Sequence, residues 1–174
     1  MRKLKLDELN RLSVEEFRQR KKFPVAIVLD NIRSGMNVGS FFRTGDAFAV
    51  RKIYLTGYTP VPPHKEIFKT AIGATETIDW EYHPEIKDLI LELQSRDWYC
   101  IGIEQTDASV FLQDARIPTQ PIALIFGNEV NGLSDSVLPE LDEIWEVPQY
   151  GTKHSLNVSV CGGIVLWDVI RRMI

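Results

Sequence analysis

The sequence predicts an α/β domain in which helices flank a mostly parallel β-sheet. Short apolar runs rich in β-branched residues alternate with segments of helical character along the chain. Such runs are typical of strands buried on both faces of a parallel sheet, and their alternation with helices favours an α/β architecture. No internal repeat, low-complexity tract or linker divides the chain. Its 174 residues suit one domain with a core of substantial size.

The first 23 residues differ from the rest in charge. Residues 1–23 hold eight basic and four acidic side chains, whereas the remaining residues hold twelve basic and twenty acidic ones. We expect a basic helical arm over 1–23, with one helix or two short ones in 7–21 and Ser13 as an N-cap. The arm is compatible with contact to a polyanion and equally with a solvated amphipathic helix. Pro24 marks the boundary to a domain over 24–174.

Six short strands are predicted from their apolar composition. The first, VAIVLD, is a continuous apolar run, and the segments KIYLTG, WYCIGIE and PIALIFG are likewise mostly apolar. TIDWEY instead alternates polar and apolar residues, and EIWEVP is a short strand near the end of the chain. The predicted strands cover residues 25–30, 52–57, 77–82, 98–104, 121–127 and 143–148.

Five helices are predicted between and after these strands from their start and stop signals. Pro84 opens one helix, Gly73 ends another, and Ser134 and Ser155 are suitable N-caps. Residues 106–120 show no periodicity and are predicted to be irregular. The predicted helices cover residues 37–49, 64–72, 84–95, 134–141 and 155–172.

The loop NIRSGMNVGS and the helix after it hold the first candidate site residues, Asn37 and Arg43. Loops beyond the carboxyl ends of parallel strands are where ligands bind in such sheets. The neighbours of Arg43 are mostly apolar, which is typical of an arginine that pairs with an acid or binds phosphate. An asparagine cap and an ordinary salt bridge would explain the same two residues.

The segment LIFGNEVNGLS holds two further candidates, Gly127 and Glu129. Glu129 is either a surface acid or an acceptor of hydrogen bonds from a ligand or from Arg43. A glycine-rich loop of this kind suits a nucleotide or an adenosyl group. The chain contains neither G-x-G-x-x-G nor G-x-x-x-x-G-K-[ST], which disfavours a Rossmann dinucleotide site and a phosphate loop.

The segment VPQYGTKHSLNVSVCGG leads into the last helix. Ser155 is its predicted N-cap, whereas Asn157 falls in the first turn, where asparagine has no special advantage. His154 is either an exposed histidine or a base. The helix is apolar on nearly every side, so we expect the sheet and a partner chain to cover it. Gly162 and Gly163 would allow another backbone to approach closely.

The two cysteines and the chain's hydropathy indicate a cytoplasmic protein. Cys100 and Cys161 lie in apolar surroundings without metal-ligand spacing, as expected of reduced thiols. The N-terminal residues lack the apolar core of a signal peptide, and no apolar run is long enough to span a membrane.

Together the three polar segments resemble the SPOUT superfamily of S-adenosylmethionine-dependent RNA methyltransferases, in its SpoU/TrmH-like branch. Each motif alone is weak, but three in order at compatible spacing are specific, and the likeness spans about residues 24–172. The residues that match the three motifs are Asn37 and Arg43, Gly127 and Glu129, and Ser155, Leu156 and Asn157.

The resemblance implies an α/β sheet with a deep C-terminal trefoil knot, and a homodimer whose site lies near the subunit interface. It implies S-adenosylmethionine as cofactor, held largely by backbone near Thr106, Gly127, Val147 and Leu156. No metal is required. The reaction would methylate a ribose 2′-hydroxyl of tRNA or rRNA.

The catalytic set implied by the resemblance is Arg43, Asn37, Glu129, Ser155 and Asn157. We interpret Arg43 as a positioner of phosphate and hydroxyl, because arginine rarely loses its proton. The other four residues would orient Arg43, the ribose or the cofactor. Two alternatives keep the fold: methylation of a base nitrogen, and RNA binding without catalysis. The arginine and the Ser-Leu-Asn set favour the ribose.

Overall fold

The seven strands of the described residues form one sheet in which every strand pairing is parallel. The computed structural model describes residues 1–5 and 7–174. The strands are β1 (Phe23–Asp30), β2 (Val50–Thr56), β3 (Trp80–His83), β4 (Tyr99–Ile103), β5 (Val110–Phe111), β6 (Ile122–Phe126) and β7 (Glu143–Glu146). Their order is β3-β2-β1-β6-β4-β7-β5. The predicted fold class is confirmed, and the trefoil knot stays a prediction.

Helices cover both faces of this sheet. The α-helices are α1 (Val14–Gln19), α2 (Gly35–Ala47), α3 (Lys65–Ala71), α4 (Ala74–Thr77), α5 (Ile86–Ser95) and α6 (Val158–Arg171). Two 3₁₀ helices cover Leu6–Leu9 and Leu138–Glu140. None of the helices in the described part of the chain combines the length and the apolar character needed to cross a lipid bilayer.

The alternation of side chains along β1 divides the core into two layers. Val25, Ile27 and Leu29 point into the larger layer with α2, α3 and α6, whereas Ala26 and Val28 point into the layer covered by α5. All five are fully buried. Burial of each large aliphatic side chain contributes roughly 1.5–3 kcal/mol, so the continuous apolar run requires helices on both faces of the sheet.

Four central strands end at nearly the same level, which brings their loops together. Leu29 pairs with Phe126, Phe126 with Ile103, and Ile103 with Trp145. We call this side of the sheet the carboxyl edge. The loops that leave it after β1, β4, β6 and β7 cover residues 31–34, 104–109, 127–133 and 147–157. All three motif segments of the sequence therefore meet at one edge.

Helix α2, which carries Asn37 and Arg43, packs very closely against α3. A Cβ atom added at Gly39 would lie 2.3 Å from the carbonyl oxygen of Ile67 and 2.1 Å from Oγ1 of Thr70. Only glycine allows this approach of a helix to a neighbouring backbone. The position of α2, and hence of its functional side chains, depends on this contact.

The N-terminal arm packs on the sheet domain through α1. The predicted cap at Ser13 is confirmed, since its Oγ accepts a hydrogen bond from the Glu16 backbone N–H at 3.2 Å and the Glu16 carboxylate accepts one from the Ser13 N–H at 2.8 Å. Phe17 is 7% exposed and belongs to the larger core layer. The two short helices predicted as one option for 7–21 are the ones observed. The division into 1–23 and 24–174 stays a prediction.

The region 64–82 was predicted incorrectly in part. The predicted helix 64–72 is observed as α3, but Ile72 and Gly73 both have positive φ, and a new short helix, α4, follows them. Helix α4 occupies the start of the predicted strand 77–82, so β3 begins only at Trp80.

Two further predictions were wrong in detail. Residues 134–141 form only a turn and a short 3₁₀ helix, because Pro139 has no amide hydrogen to continue an α-helix. The segment 106–120, predicted to be irregular, contains β5, which pairs with β7 at the sheet edge. Two residues are too few to show a strand periodicity.

Another backbone was predicted to approach the glycine pair of α6 closely, which is wrong at Gly162 and stays a prediction at Gly163. The ring of Phe41, rather than a backbone, packs at Gly162, where an added Cβ would lie 2.2 Å from the ring. An added Cβ at Gly163 would have no neighbour within 4 Å. One face of α6 is thus packed against α2, and the face with Gly163 is open in the single chain.

We expect Gly39→Ala to destabilise the protein, although alanine is the better helix former by about 1 kcal/mol. The added methyl must push α2 away from α3, and overpacking of this kind costs about 1–3 kcal/mol. Urea denaturation measures the free energy of unfolding. Ser40→Ala, one position along the same helix, is the control and should shift stability by less than about 0.5 kcal/mol. A Gly39→Ala variant as stable as the wild type would contradict this account of the packing.

Candidate active site

The carboxylate of Glu129 joins the loop after β6 to the start of α2. It accepts hydrogen bonds from the backbone N–H of Arg33 at 2.8 Å, the backbone N–H of Ser34 at 3.1 Å and the side-chain amide of Asn37 at 2.8 Å. Arg43, considered from sequence as a partner of Glu129, is not among these donors. Glu129 therefore organises the first two motif segments through backbone and amide contacts.

Asn37 extends this network to the third motif segment. Its side-chain oxygen accepts hydrogen bonds from Nδ2 of Asn157 at 3.2 Å and from Oγ of Ser159 at 3.4 Å. Glu129, Asn37 and Asn157, far apart in sequence, thus form one chain of hydrogen bonds at the carboxyl edge.

Asn157, not Ser155, is the N-cap of α6. The Asn157 side-chain oxygen accepts from the backbone N–H of Ser159 at 3.0 Å and of Val160 at 3.3 Å, so the helix begins at Val158. The predicted helix start and the predicted first-turn position of Asn157 were wrong. As the cap, Asn157 satisfies two backbone donors with its oxygen while its amide nitrogen binds Asn37.

Burial and hydrogen bonding have opposite effects on the Glu129 carboxyl. Burial raises its pKa, whereas the hydrogen bonds from the Arg33 N–H, from Asn37 and from the Ser34 N–H lower it. The hydrogen bonds prevail, so the pKa of Glu129 lies below its ordinary value. The carboxylate is charged at neutral pH.

A cavity of about 250 Å³ opens beside this network at the carboxyl edge. Three of the four predicted cofactor residues line it: Gly127, Val147 and Leu156. The fourth, Thr106, does not line it, although Gln105 does. The Thr106 carbonyl instead accepts from Ser109 at 2.9 Å within its own loop.

Backbone contacts shape the rim of the cavity at the loop after β6. An added Cβ at Gly127 would lie 2.4 Å from the backbone of Leu133, which explains the glycine at the end of that strand. Asn128 and Gly132 exchange two backbone hydrogen bonds, at 3.1 and 2.9 Å, that close the loop.

Two residues at this edge were missed by sequence reasoning. Glu104 lines the cavity, and its carboxylate accepts from the backbone N–H of Leu133 at 2.9 Å. Asn128 donates to the Asn31 carbonyl and to the Tyr58 hydroxyl, both at 2.8 Å. Their position at the carboxyl ends of two predicted apolar strands was the available signal.

The cavity is acidic. The carboxylate residues Glu104, Glu129 and Glu146 line it, and no Lys, Arg or His is found among its described lining residues. Cys161 also faces it, but burial and the nearby Glu104 carboxylate raise the pKa of this thiol to about 11. The thiol is therefore protonated at neutral pH and is a poor nucleophile. A positively charged small molecule is the ligand best suited to this lining.

The remaining predicted site residues lie in different surroundings. Ser155 lines the cavity but is exposed, and His154 is exposed and outside the lining. Arg43 is exposed on α2 and lines a different concavity, although its neighbours Phe41 and Phe42 are buried. The structure thus brings Asn37, Glu129 and Asn157 together, and in the single chain it leaves Arg43 apart from them.

Both cysteines are free thiols, as predicted. In the described part of the chain, no three His, Cys, Asp or Glu side chains are close enough to hold a metal ion.

An all-parallel α/β sheet with a small-molecule cavity beyond its carboxyl edge defines the class of protein, and comparison with known proteins gives the family. The model of the SpoU rRNA Methylase family matches residues 24–167, and the chain belongs to this family.

A curated relative from Vibrio parahaemolyticus, the 23S rRNA (guanosine-2′-O-)-methyltransferase RlmB, is 26% identical over 165 residues. The match covers 95% of this chain and 66% of that protein. The chain thus spans slightly less than two thirds of the length of this relative.

Two solved structures share the fold. The A. aeolicus TrmH/SpoU tRNA modifying enzyme has a TM-score of 0.80 and 26% identity, over 91% of this chain and 79% of the other. The AdoMet-bound rRNA methyltransferase from Sinorhizobium meliloti has a TM-score of 0.81 and 25% identity, over 94% of this chain and 62% of the other.

We expect Glu129→Gln to weaken the carboxyl edge in a pH-dependent way. An amide has only one acceptor oxygen, so at pH 7 the variant should lose about 1–3 kcal/mol of unfolding free energy. Because the folded-state pKa lies below the unfolded value of about 4.3, the carboxylate stabilises the fold above that pH. This contribution is lost as the pH falls through the folded-state pKa.

Urea denaturation from pH 7 down to pH 3.5 measures this effect. The stability difference between wild type and Glu129→Gln should narrow below about pH 4.3. Asp114→Asn, an exposed carboxylate-to-amide change remote from the network, is the control. A difference that is constant over the whole range would show that the charge of Glu129 does not matter.

Proposed function

We propose that this chain is an S-adenosylmethionine-dependent RNA methyltransferase that modifies a ribose 2′-hydroxyl in tRNA or rRNA. The observation that carries the proposal is the hydrogen-bond chain Glu129–Asn37–Asn157, which joins all three motif segments at the edge of one cavity. The family membership and the names of the relatives support it. The division into an arm over 1–23 and a methyltransferase domain over 24–174 belongs to the same proposal.

The cavity suits this cofactor by its charge and its backbone rim. When bound, S-adenosylmethionine supplies a methyl group activated by a sulfonium. The carboxylates of Glu104, Glu129 and Glu146 favour such a cation over a neutral or anionic ligand. Backbone at Gly127, Val147 and Leu156 would hold the adenosyl group. Thr106, which does not line the cavity, would only stabilise the loop that contains it.

The hydrogen-bonded residues act as positioning groups in this mechanism. The Glu129 carboxylate already accepts three N–H donors, so its role is to hold the loops in register. Asn37 binds both Glu129 and Asn157, so the same hydrogen bonds also fix the start of α6 relative to these loops. Ser155, exposed at the cavity, is free to contact the ribose or the cofactor.

Arg43 would position the phosphate and the hydroxyl of the substrate. A planar guanidinium binds phosphate bidentately. Asn37 and Arg43 are six residues apart on α2, which places them about 9 Å apart along the axis and about 120° apart around it. Arg43 therefore points away from the cavity of its own chain, which favours action on a partner's cavity in a dimer.

The homodimer is supported by the open face of α6. Val160 is 53% exposed, Ile164 40% and Trp167 55%, in a stripe at helical spacing. Contiguous apolar surface of this kind marks an interaction site. A second copy of this chain is the partner that the proposal names. The free thiols support a reducing, cytoplasmic location.

We expect Arg43→Ala to reduce methyl transfer by about 10²-fold or more, because the hydroxyl is no longer aligned. Binding of S-adenosylmethionine should persist, since Arg43 is outside the cavity. Transfer of labelled methyl to bulk RNA and calorimetry of the cofactor measure the two effects. Arg116→Ala, also an exposed arginine, is the control.

Mass spectrometry of the methylated nucleosides separates ribose from base products. Near wild-type turnover in Arg43→Ala would overturn the role of Arg43. A wild-type protein that neither binds the cofactor nor transfers methyl groups would overturn the enzyme proposal and favour RNA binding without catalysis.

We expect the double variant Val160→Glu, Trp167→Glu to be monomeric, because charged side chains would be buried in the dimer interface. Sedimentation velocity measures the mass in solution. Leu91→Glu, at a residue 56% exposed on the opposite side of the sheet, is the control and should remain dimeric. A monomeric wild type, or a dimeric double variant, would contradict the proposed interface.

A further inference from the structure

Three arginines from two parts of the chain line a cleft outside the cofactor cavity. Arg11 and Arg20 belong to the N-terminal arm and Arg43 to α2. The cleft has a volume of about 660 Å³, and residues 71–74, 76 and 77 also line it. We call it the arginine cleft.

Three other cations of the arm, Arg2, Arg18 and Lys22, have partners within the chain. Arg2 pairs with Glu8 at 2.6 Å, the Arg18 side chain donates to the Glu76 carbonyl at 3.0 Å, and Lys22 donates to the Phe17 carbonyl at 2.6 Å. The Arg18 contact joins the arm to the domain and, together with the buried Phe17, fixes the wall of the cleft.

Among the described residues, the side chains of Arg11, Arg20 and Arg43 have neither an ion-pair partner nor a hydrogen-bond acceptor. This is notable because two acids, Asp46 and Glu76, line the same cleft. Asp46 accepts a hydrogen bond from Thr77 instead. Three arginines whose guanidinium donors have no acceptor in the described part of the chain therefore line one open concavity.

We propose that the arginine cleft binds the phosphate backbone of the RNA substrate. Guanidinium groups match phosphate oxygens bidentately. The cleft is much larger than one phosphate, and exposed apolar residues lie beside the cations: Leu12 is 47% exposed and Ile72 66%. Cations next to apolar surface suit a nucleic-acid strand, which offers phosphates together with sugar and base faces. The inference rests on the proposed function and extends it by making Arg11 and Arg20 RNA-positioning residues.

The test is the double variant Arg11→Ala, Arg20→Ala in the full chain. We expect about ten-fold weaker binding to unfractionated tRNA and to fragmented rRNA alike, since phosphate contacts carry no base information. The slope of log affinity against log salt should fall by about one for each arginine. Filter binding over a salt series measures both effects. The KM for RNA should rise while kcat at saturating RNA and cofactor affinity stay unchanged.

Two matched variants complete the experiment. Lys3→Ala, Lys5→Ala removes the same charge from the arm outside the cleft and should leave the salt slope near that of the wild type. Arg11→Lys, Arg20→Lys keeps the charge and should restore the slope.

A wild-type slope and affinity in the Arg11→Ala, Arg20→Ala variant would overturn the inference. An equal loss of RNA affinity in the Lys3→Ala, Lys5→Ala variant would overturn it as well. RNA binding is measured without methyl transfer. Failure of the proposed enzyme activity is therefore distinguishable from failure of the cleft.

Discussion

The arrangement of the carboxyl edge depends on one carboxylate that accepts three hydrogen bonds. Glu129 lies 92 residues from Asn37 in sequence, and Asn37 lies 120 residues from Asn157. These contacts connect loops that leave three different regions of the chain. A second contact, from Asn128 to the Asn31 carbonyl, also joins the loops after β1 and β6, but the Glu129 network additionally includes the start of α6. The shape of the cavity beside them follows from this chain of contacts.

A charged acceptor suits this position for two reasons. Its two oxygens can satisfy three donors, and the charge strengthens each hydrogen bond enough to offset the cost of partial burial. The first turn of α2 contains no acidic residue of its own. Glu129 therefore supplies, from another loop, the negative charge that favours a helix N-terminus. Organising the site and stabilising α2 are consequences of the same contact.

The fold was largely predictable because both faces of the sheet are covered. Continuous apolar runs such as 25–30 and 121–127 indicate strands that are buried on both faces, and their alternation with helices specified the architecture. The wrong predictions of helix and strand boundaries fall where the local sequence gives a weak indication or two competing ones. Ser155 and Asn157 are both good caps by residue type, and Asn157, which caps α6, also contacts the distant Asn37. Strand β5 is defined by its pairing with β7 rather than by its own two residues.

The candidate site was predictable as a set of motifs but not as a geometry. The side-chain direction of Arg43 depends on where α2 begins, and Ser34 rather than Asn37 is its cap. That start places Asn37 toward the cavity and Arg43 toward the arm. The missed Glu104 and Asn128 act mainly through backbone and loop contacts, for which short motifs carry little signal.

The uneven distribution of charge along the sequence corresponds to a separation of charges on the two sides of α2. Acidic side chains line the cavity on one side of the helix, and three arginines line the cleft on another. An acidic cavity attracts a cationic cofactor and repels a polyanion, whereas the cleft has the opposite preference. In the proposed reaction these two ligands must nevertheless meet. The single chain faces these two ligands in different directions. In the proposed homodimer, a second copy docked on the open face of α6 would let each ligand occupy its preferred environment and still reach the other.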